Sequence, residues 1–301
     1  MVGEWTVRRI LREAAAYLRR SGVERASFEA AELLAHALGT ERLRLYLEPE
    51  RVLTPREQED FRGLLLRRRA GVPLQYLLGE AEFMGLSLRV DGRALIPRPE
   101  TEELVELVLK EIETGLPAQA RGELEILELG TGSGAIALAL AKALPRSRIT
   151  ATDISPQALE LARENAARHG LEGRISFIES DWFSAISGKF DLIVANPPYV
   201  GRAEAAGLPR EVRDHEPRQA WDGGEEGLES LKELIVQAPA YLKPRGRLYL
   251  EIGAGQGARV RALALLTSDY EEIEVLRDLS GRERFLRLRA VGGGDRIEQN
   301  R

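Results

Sequence analysis

Residues Phe190–Tyr199 read FDLIVANPPY. Leu192, Ile193, Val194 and Ala195 form an unbroken apolar run, the pattern of a strand buried on both faces of a parallel sheet. Pro197 and Pro198 end that strand, because neither can donate to a ladder and each restricts the residue before it. Asn196 therefore falls at the carboxyl end of a central strand, the edge at which open α/β sheets bind ligands. The Asn196 amide oxygen and the Pro197 carbonyl are two acceptors side by side, a match for the two hydrogens of a planar NH₂ group. Tyr199 adds a flat wall. An amide or exocyclic amino nitrogen is a poor nucleophile, and holding both N–H bonds presents it to an electrophile at a set angle. Asn-Pro-Pro alone would also serve as a plain strand-ending turn, so its reading depends on the stretches around it.

Those stretches alternate strand and helix. LEILELG (124–130) is a strand followed by the helical GAIALALAKALP. RITATD and SPQALELARENAARHG repeat the unit, and RISFIESD precedes the quoted strand. After a long loop, LESLKELIVQAPAYLKP reads as helix, GRLYLEIG as strand and Gln256–Leu266 as helix. EEIEVLRD and RERFLRLRA close the pattern as an antiparallel pair about a short turn. Seven strands interleaved with helices predict an α/β fold, a doubly wound, mostly parallel sheet.

The first of these strands ends in Glu128-Leu129-Gly130-Thr131-Gly132-Ser133-Gly134. This is G-x-G-x-G, a tight turn that lets a ligand approach the backbone closely. No Lys-Ser/Thr follows it, so it is not a P-loop. Glu128 suits an ammonium group better than a pyrophosphate. Asp153 ends the second strand, where it can accept both hydroxyls of a ribose or cap the helix that follows. Asp181 ends the third and can accept from an adenine amino group, with Trp182 beside it to stack. An adenosine that carries an amino acid, S-adenosylmethionine, fits this set better than NAD does.

Residues 1–79 read as helical. Val7, Ile10, Leu11, Ala14 and Leu18 share one face, Ser27 is placed as an N-cap, and a longer helix runs from Pro55 to Arg69. Arg67-Arg68-Arg69 reads as a solvated face and His36 as a core or edge histidine. A β-hairpin about Gly85 occupies 80–97, and Thr101 and Glu102 open a helix after Pro97 and Pro99. Residues 115–123 read as a loop and 291–301 as a disordered tail. The 301 residues carry a net charge of −5, are 44% hydrophobic and include no cysteine. Disulfides, thiol catalysis and cysteine-held metal are excluded, and the three histidines form no metal motif. An acidic balance argues against a general nucleic-acid surface. The chain has no apolar run of membrane-spanning length and its start lacks a signal-peptide block, which predicts a cytoplasmic protein that neither binds nucleic acid directly nor enters a membrane.

ExGxGxG, the acid on the second strand and NPPY on the fourth resemble the Rossmann-like class I methyltransferases that act on planar nitrogen. More narrowly, the chain resembles the PrmC/HemK family, the peptide chain release factor glutamine methyltransferases. PLQYLLG (73–79), IPRPETE (96–102), LELGTGSGAIAL (127–138), EPRQAWDGGEEGL (216–228), LEIGAGQG and DLSGRERF carry the likeness. Trp221 stands where that pattern leads one to expect a smaller aliphatic residue. The resemblance implies a methyl transfer to the glutamine of the release-factor Gly-Gly-Gln loop, leaving S-adenosylhomocysteine. It implies that Gly130–Gly134, Asp153 and Trp182 contact the cofactor and that Asn196, Pro197, Pro198 and Tyr199 hold the glutamine. Residues 1–79 would dock the release factor, 98–290 would form the methyltransferase domain, and the protein would be a monomer without metal. The alternatives are a ribosomal-protein glutamine as acceptor, a DNA adenine amino group reached by base flipping, and a scaffold that keeps the fold without catalysis.

Overall fold

The computed structural model of the chain describes residues 4–115 and 123–292. The expected 115–123 loop and terminal tail lie largely outside these. The chain falls into two compact units, one running to Glu80 and taking in Pro209–His215, the other formed by Ala81–Leu208 and the residues from Glu216 onward.

The first unit is a helical bundle of α1 (Val7–Arg20), α2 (Ala26–Ala37), α3 (Arg42–Leu47), α4 (Pro55–Arg69) and α5 (Leu74–Leu78). Thr6 caps α1, and Thr54 with Glu57 forms a capping box at α4, with Pro55 in the first turn. Leu18, Leu33, Leu34 and Phe61 fill its core. Three expectations are corrected here. Ser27 is not the N-cap of α2, which opens two residues earlier than that cap would place it, behind Arg25. His36 is exposed. Arg68 is only 5% exposed, because its guanidinium is paired with the carboxylates of Glu29 and Glu211. A single basic residue in a basic run left the surface because two acids distant in sequence meet it.

The second unit opens with the hairpin β1 (Glu80–Phe83) and β2 (Leu86–Arg89), followed by α6 (Pro99–Gly115). Its sheet contains β3 (Glu125–Leu129), β4 (Arg148–Asp153), β5 (Ile175–Glu179), β6 (Phe190–Ala195), β7 (Leu242–Glu251), β8 (Tyr270–Arg277) and β9 (Glu283–Ala290). The order is β5-β4-β3-β6-β7-β9-β8, parallel as far as β7, with β9 antiparallel to both β7 and β8. Helices α7 (Ala135–Ala143) and α8 (Pro156–Arg168) follow β3 and β4. Alternation along the strands feeds two cores. Ile126, Leu192 and Val194 pack with α6 and α7, while Leu127, Leu129, Ile193 and Ala195 face Leu231, Leu234 and Val260 on the other side.

The long loop after β6 contains short helices at Arg202–Ala205 and Arg210–His215 and a 3₁₀ turn at Arg218–Ala220. The helix expected to reach Pro244 is shorter. It covers Glu229–Gln237, and β7 already begins at Leu242. Pro244 is tolerated because the ladder to β6 is broken there. Phe190 pairs with Leu242 and Leu192 with Arg247, leaving the intervening residues bulged out of register.

Candidate active site

Register alone assembles the site. Leu129 pairs with Ala195 on one side and Thr152 on the other, Asp153 pairs with Glu179, and Ala195 pairs with Leu250. The next residues, Gly130, Asp153, Asn196 and Glu251, therefore lie along one carboxyl edge. The chain leaves β3 for β4 in one direction and reaches β6 in the other, so a crevice opens between β3 and β6. It holds a cavity of about 350 Å³ lined by Glu128, Asp153, Asp181, Trp182, Asn196 and Pro198, among others. That volume is in the range of small-molecule sites.

Gly130, Gly132 and Gly134 all have positive φ, at 72°, 55° and 86°. A Cβ on Gly130 would sit 3.7 Å from Trp182 Cζ3, which brings the indole over the turn. Gly130, Thr131, Gly132 and Ser133 line the cavity, whereas Gly134 does not. Its role is packing: a Cβ there would lie 2.5 Å from Leu138 Cδ1 and 3.1 Å from Ala162 Cβ. The turn is pinned from both ends. Gly132 N–H donates to Asp153 Oδ2 at 2.9 Å, and Asn165 Nδ2 donates to the Ser133 carbonyl at 2.9 Å.

Glu128 is buried, and its Oε2 accepts from Thr131 Oγ1 at 2.6 Å and from the Ala137 N–H at 3.0 Å. Both bonds fall on one oxygen, which leaves Oε1 to the cavity. Burial pushes its carboxyl up to about 8 against the pull of these two donors. Burial also raises Asp153, opposed by N–H groups of Ser155, Gly132 and Ile154. Asp153 has both of its anticipated roles in part. Its Oδ1 accepts from Ser155 N–H, yet the helix cap proper is Ser155, whose Oγ accepts from Ala158 N–H. Asp181 is exposed at the cavity rim.

Asn196 and Pro198 reach the cavity, but Pro197 and Tyr199 are not among its lining residues. The phenol of Tyr199 is drawn inward, donating to Glu251 Oε1 at 3.0 Å. Asn196 Nδ2 donates to Thr101 Oγ1 at 3.0 Å. Among the described residues no group of three or more His, Asp or Glu side chains is arranged to hold a metal, and no helix is long and apolar enough to cross a membrane.

Residues 9–79 match the PrmC N-terminal domain and residues 107–209 the methyltransferase small domain. The chain is 45% identical over 286 residues to a release factor glutamine methyltransferase of Moorella thermoacetica, covering 94% of this chain and 99% of that one. This chain belongs to the release factor glutamine methyltransferase family. Its identity to the Deinococcus radiodurans release factor glutamine methyltransferase is 42% over 287 residues, covering 95% and 99% of the two chains. A solved methyltransferase from Pyrococcus furiosus shares the fold, with a TM-score of 0.51 at 20% identity over 76% of this chain and 98% of that one.

For a release factor glutamine methyltransferase chain, the reading of single residues missed the cavity's other wall. Arg93 to Arg98 and Thr101 line it. Arg93 holds this segment through Asp91 and Glu164, and Arg98 Nη2 meets the buried Glu216 Oε1 at 2.6 Å. The IPRPETE stretch had carried family likeness without a chemical role. Glu251 was missed too. Its only sequence signal is an acid that ends the apolar run Leu248–Leu250. Trp221 is buried and its Nε1 has no partner among the described residues.

Proposed function

We propose that this chain transfers a methyl group from S-adenosylmethionine to the side-chain amide nitrogen of the glutamine in the Gly-Gly-Gln loop of bacterial peptide chain release factors, in the cytoplasm. The observation that carries the site assignment is the register that sets Asn196 one strand away from the glycine turn, with its amide oxygen left over on the cavity.

The residues present fit the cofactor. Glu128 has a carboxylate oxygen without a hydrogen-bond partner among the described residues, and an ammonium is the partner a buried carboxylate needs. Asp153 would take the ribose hydroxyls, and Asp181 with Trp182 the adenine. Bound there, S-adenosylmethionine supplies an electrophilic methyl group on a sulfonium. Asn196 Oδ1 and the Pro197 carbonyl accept the N–H bonds of the glutamine amide and fix its orientation. These bonds strengthen as the nitrogen gains positive character, so they favour the transition state over the ground state. Alignment is what a poor nucleophile lacks most, and held reactants can gain several kcal/mol, up to about 7–11, from orientation. The surplus proton on nitrogen passes to water.

The helical unit is the proposed docking surface for the rest of the release factor. A groove of about 720 Å³ lies between α1 and α4, lined by Trp5, Tyr17, Phe61, Leu65, Leu66 and Arg69 among others. Protein partners bury about 800 Å² per side, more than a loop-sized cleft offers. The deciding experiment is mass spectrometry of a release factor incubated with this protein and S-adenosylmethionine. A gain of one methyl on the Gly-Gly-Gln glutamine is expected, and methyl found elsewhere, or none, refutes the reading.

A further inference from the structure

Asn196 is the last member of a hydrogen-bonded chain that starts on a buried acid. Glu251 is 1% exposed. Its Oε2 lies 2.7 Å from Thr101 Oγ1 and its Oε1 3.0 Å from the Tyr199 hydroxyl. Thr101 Oγ1 lies in turn 3.0 Å from Asn196 Nδ2.

Counting protons along this chain gives it a direction. An ionised carboxylate only accepts, so the Thr101 and Tyr199 hydroxyls must both donate to Glu251. Thr101 has one hydroxyl proton and has spent it. Toward Asn196 it can offer only a lone pair, so the Asn196 group facing it must be the NH₂. The amide oxygen is then the half of Asn196 that remains for the cavity.

We propose that Glu251 is a positioning residue for methyl transfer: through Thr101 it selects the amide orientation of Asn196 in which the oxygen, and not the NH₂, meets the acceptor amide. This rests on the reading that Asn196 grips the glutamine. In the flipped orientation the Asn196 NH₂ would face the glutamine NH₂, two donors with nothing to accept. A glutamine at position 251 would fill the same space, but its own NH₂ would donate on one side. That would free a hydroxyl proton of Thr101 or Tyr199 and remove the directionality. The acid also ties the NPPY turn to β7, since the same carboxylate holds Tyr199.

The chain is sensitive to the charge on Glu251. The charged and titratable groups that face it are Tyr199 after β6, Arg284 from β9, which favours its ionised form, and Glu100 from the first turn of α6, which opposes it. Burial outweighs these and lifts its carboxyl to about 6. Once protonated, Glu251 must itself donate to Thr101 or Tyr199. Thr101 then regains a proton for Asn196 Oδ1, and the flipped amide becomes available.

The test is steady-state methylation of a release factor by the full chain carrying Thr101→Val, Thr101→Ser or Glu251→Gln, with S-adenosylhomocysteine titration as the folding control. Thr101→Val and Glu251→Gln should lower kcat by about 10- to 100-fold, the scale seen when partners that orient a site's ligands are removed. Cofactor affinity should stay within a few-fold, and Thr101→Ser should restore most of the turnover. The unsubstituted enzyme should lose kcat as pH falls through about 6, and Glu251→Gln should lack that acid limb. Normal kcat in Thr101→Val, or an unchanged acid limb in Glu251→Gln, overturns the proposal. Asn196→Ala separates the two readings: if it is inactive while Thr101→Val is normal, the grip stands and the relay falls. If Asn196→Ala turns over normally, the grip itself is wrong.

Discussion

Binding of the cofactor should expel a proton from Glu128. In the free protein burial holds this carboxyl up at about 8, so at pH 6.5 only about 3% of it is ionised, and ionising it there costs about 2 kcal/mol at 1.4 kcal/mol per unit. A bound ammonium needs the carboxylate. Binding therefore pulls the Glu128 pKa down, and about one proton should be released per ligand at pH 6.5. The affinity should rise about 30-fold from pH 6.5 to its plateau above pH 8, a range over most of which the ligand's own amine stays protonated. Isothermal titration with S-adenosylhomocysteine in phosphate and in imidazole reads the proton directly, because the two buffers differ in ionisation heat. At pH 6.5 the ligand amine is almost fully protonated and contributes little. Glu128→Gln should show no release and weaker binding. The free protein should also lose stability as pH climbs from about 4.5 to about 8, because the unfolded chain ionises this group first. Equal heats in both buffers, with an affinity flat from pH 6 to 8, would refute the ammonium assignment.

Asn196→Ala should abolish transfer while cofactor affinity stays within a few-fold, read by methyl incorporation beside a cofactor titration; near-normal turnover would remove Asn196 from the site. Asp153→Ala should weaken S-adenosylhomocysteine by about 1.5–3 kcal/mol, the range for hydrogen bonds to a charged acceptor, toward the upper end because Asp153 also pins Gly132. An unchanged titration would leave Asp153 only its backbone role. Arg68→Met should cost about 3–5 kcal/mol, the scale for stranding one partner of a buried pair, since Glu29 would keep an unpaired charge beside it. The urea midpoint of the helical unit measures this, and a shift under 1 kcal/mol would refute it. Leu66→Glu, at a 47% exposed position in the α1–α4 groove, should raise the apparent KM for an intact release factor and leave cofactor binding alone. An unchanged KM would place docking elsewhere.

Much of this protein was legible along the chain because its signals are local. Apolar runs of strand length, a glycine turn that only positive φ allows, and two prolines that end a strand each act within a few residues. Together they were enough for the alternating α/β order, the glycine turn after the first sheet strand and the position of Asn196 at a strand end. The acids Glu128, Asp153 and Asp181 were legible because each lies at or just beyond the carboxyl end of its own strand.

What the tertiary structure decided depends on residues that meet across the sheet or the bundle. Arg68 looked like one of three solvated arginines until Glu29 and Glu211, far away in sequence, enclosed it. Pro244 fits inside a strand only because a bulge releases it from the ladder. Tyr199 was expected to face the ligand, and a buried carboxylate on the neighbouring strand turned it inward. Which half of the Asn196 amide is left for the cavity depends on Thr101, 95 residues away in the chain, and on Glu251 beyond it. Hydrogen-bond direction is a property of a closed network, and this one draws on three separate stretches of sequence, at Thr101, at Asn196–Tyr199 and at Glu251.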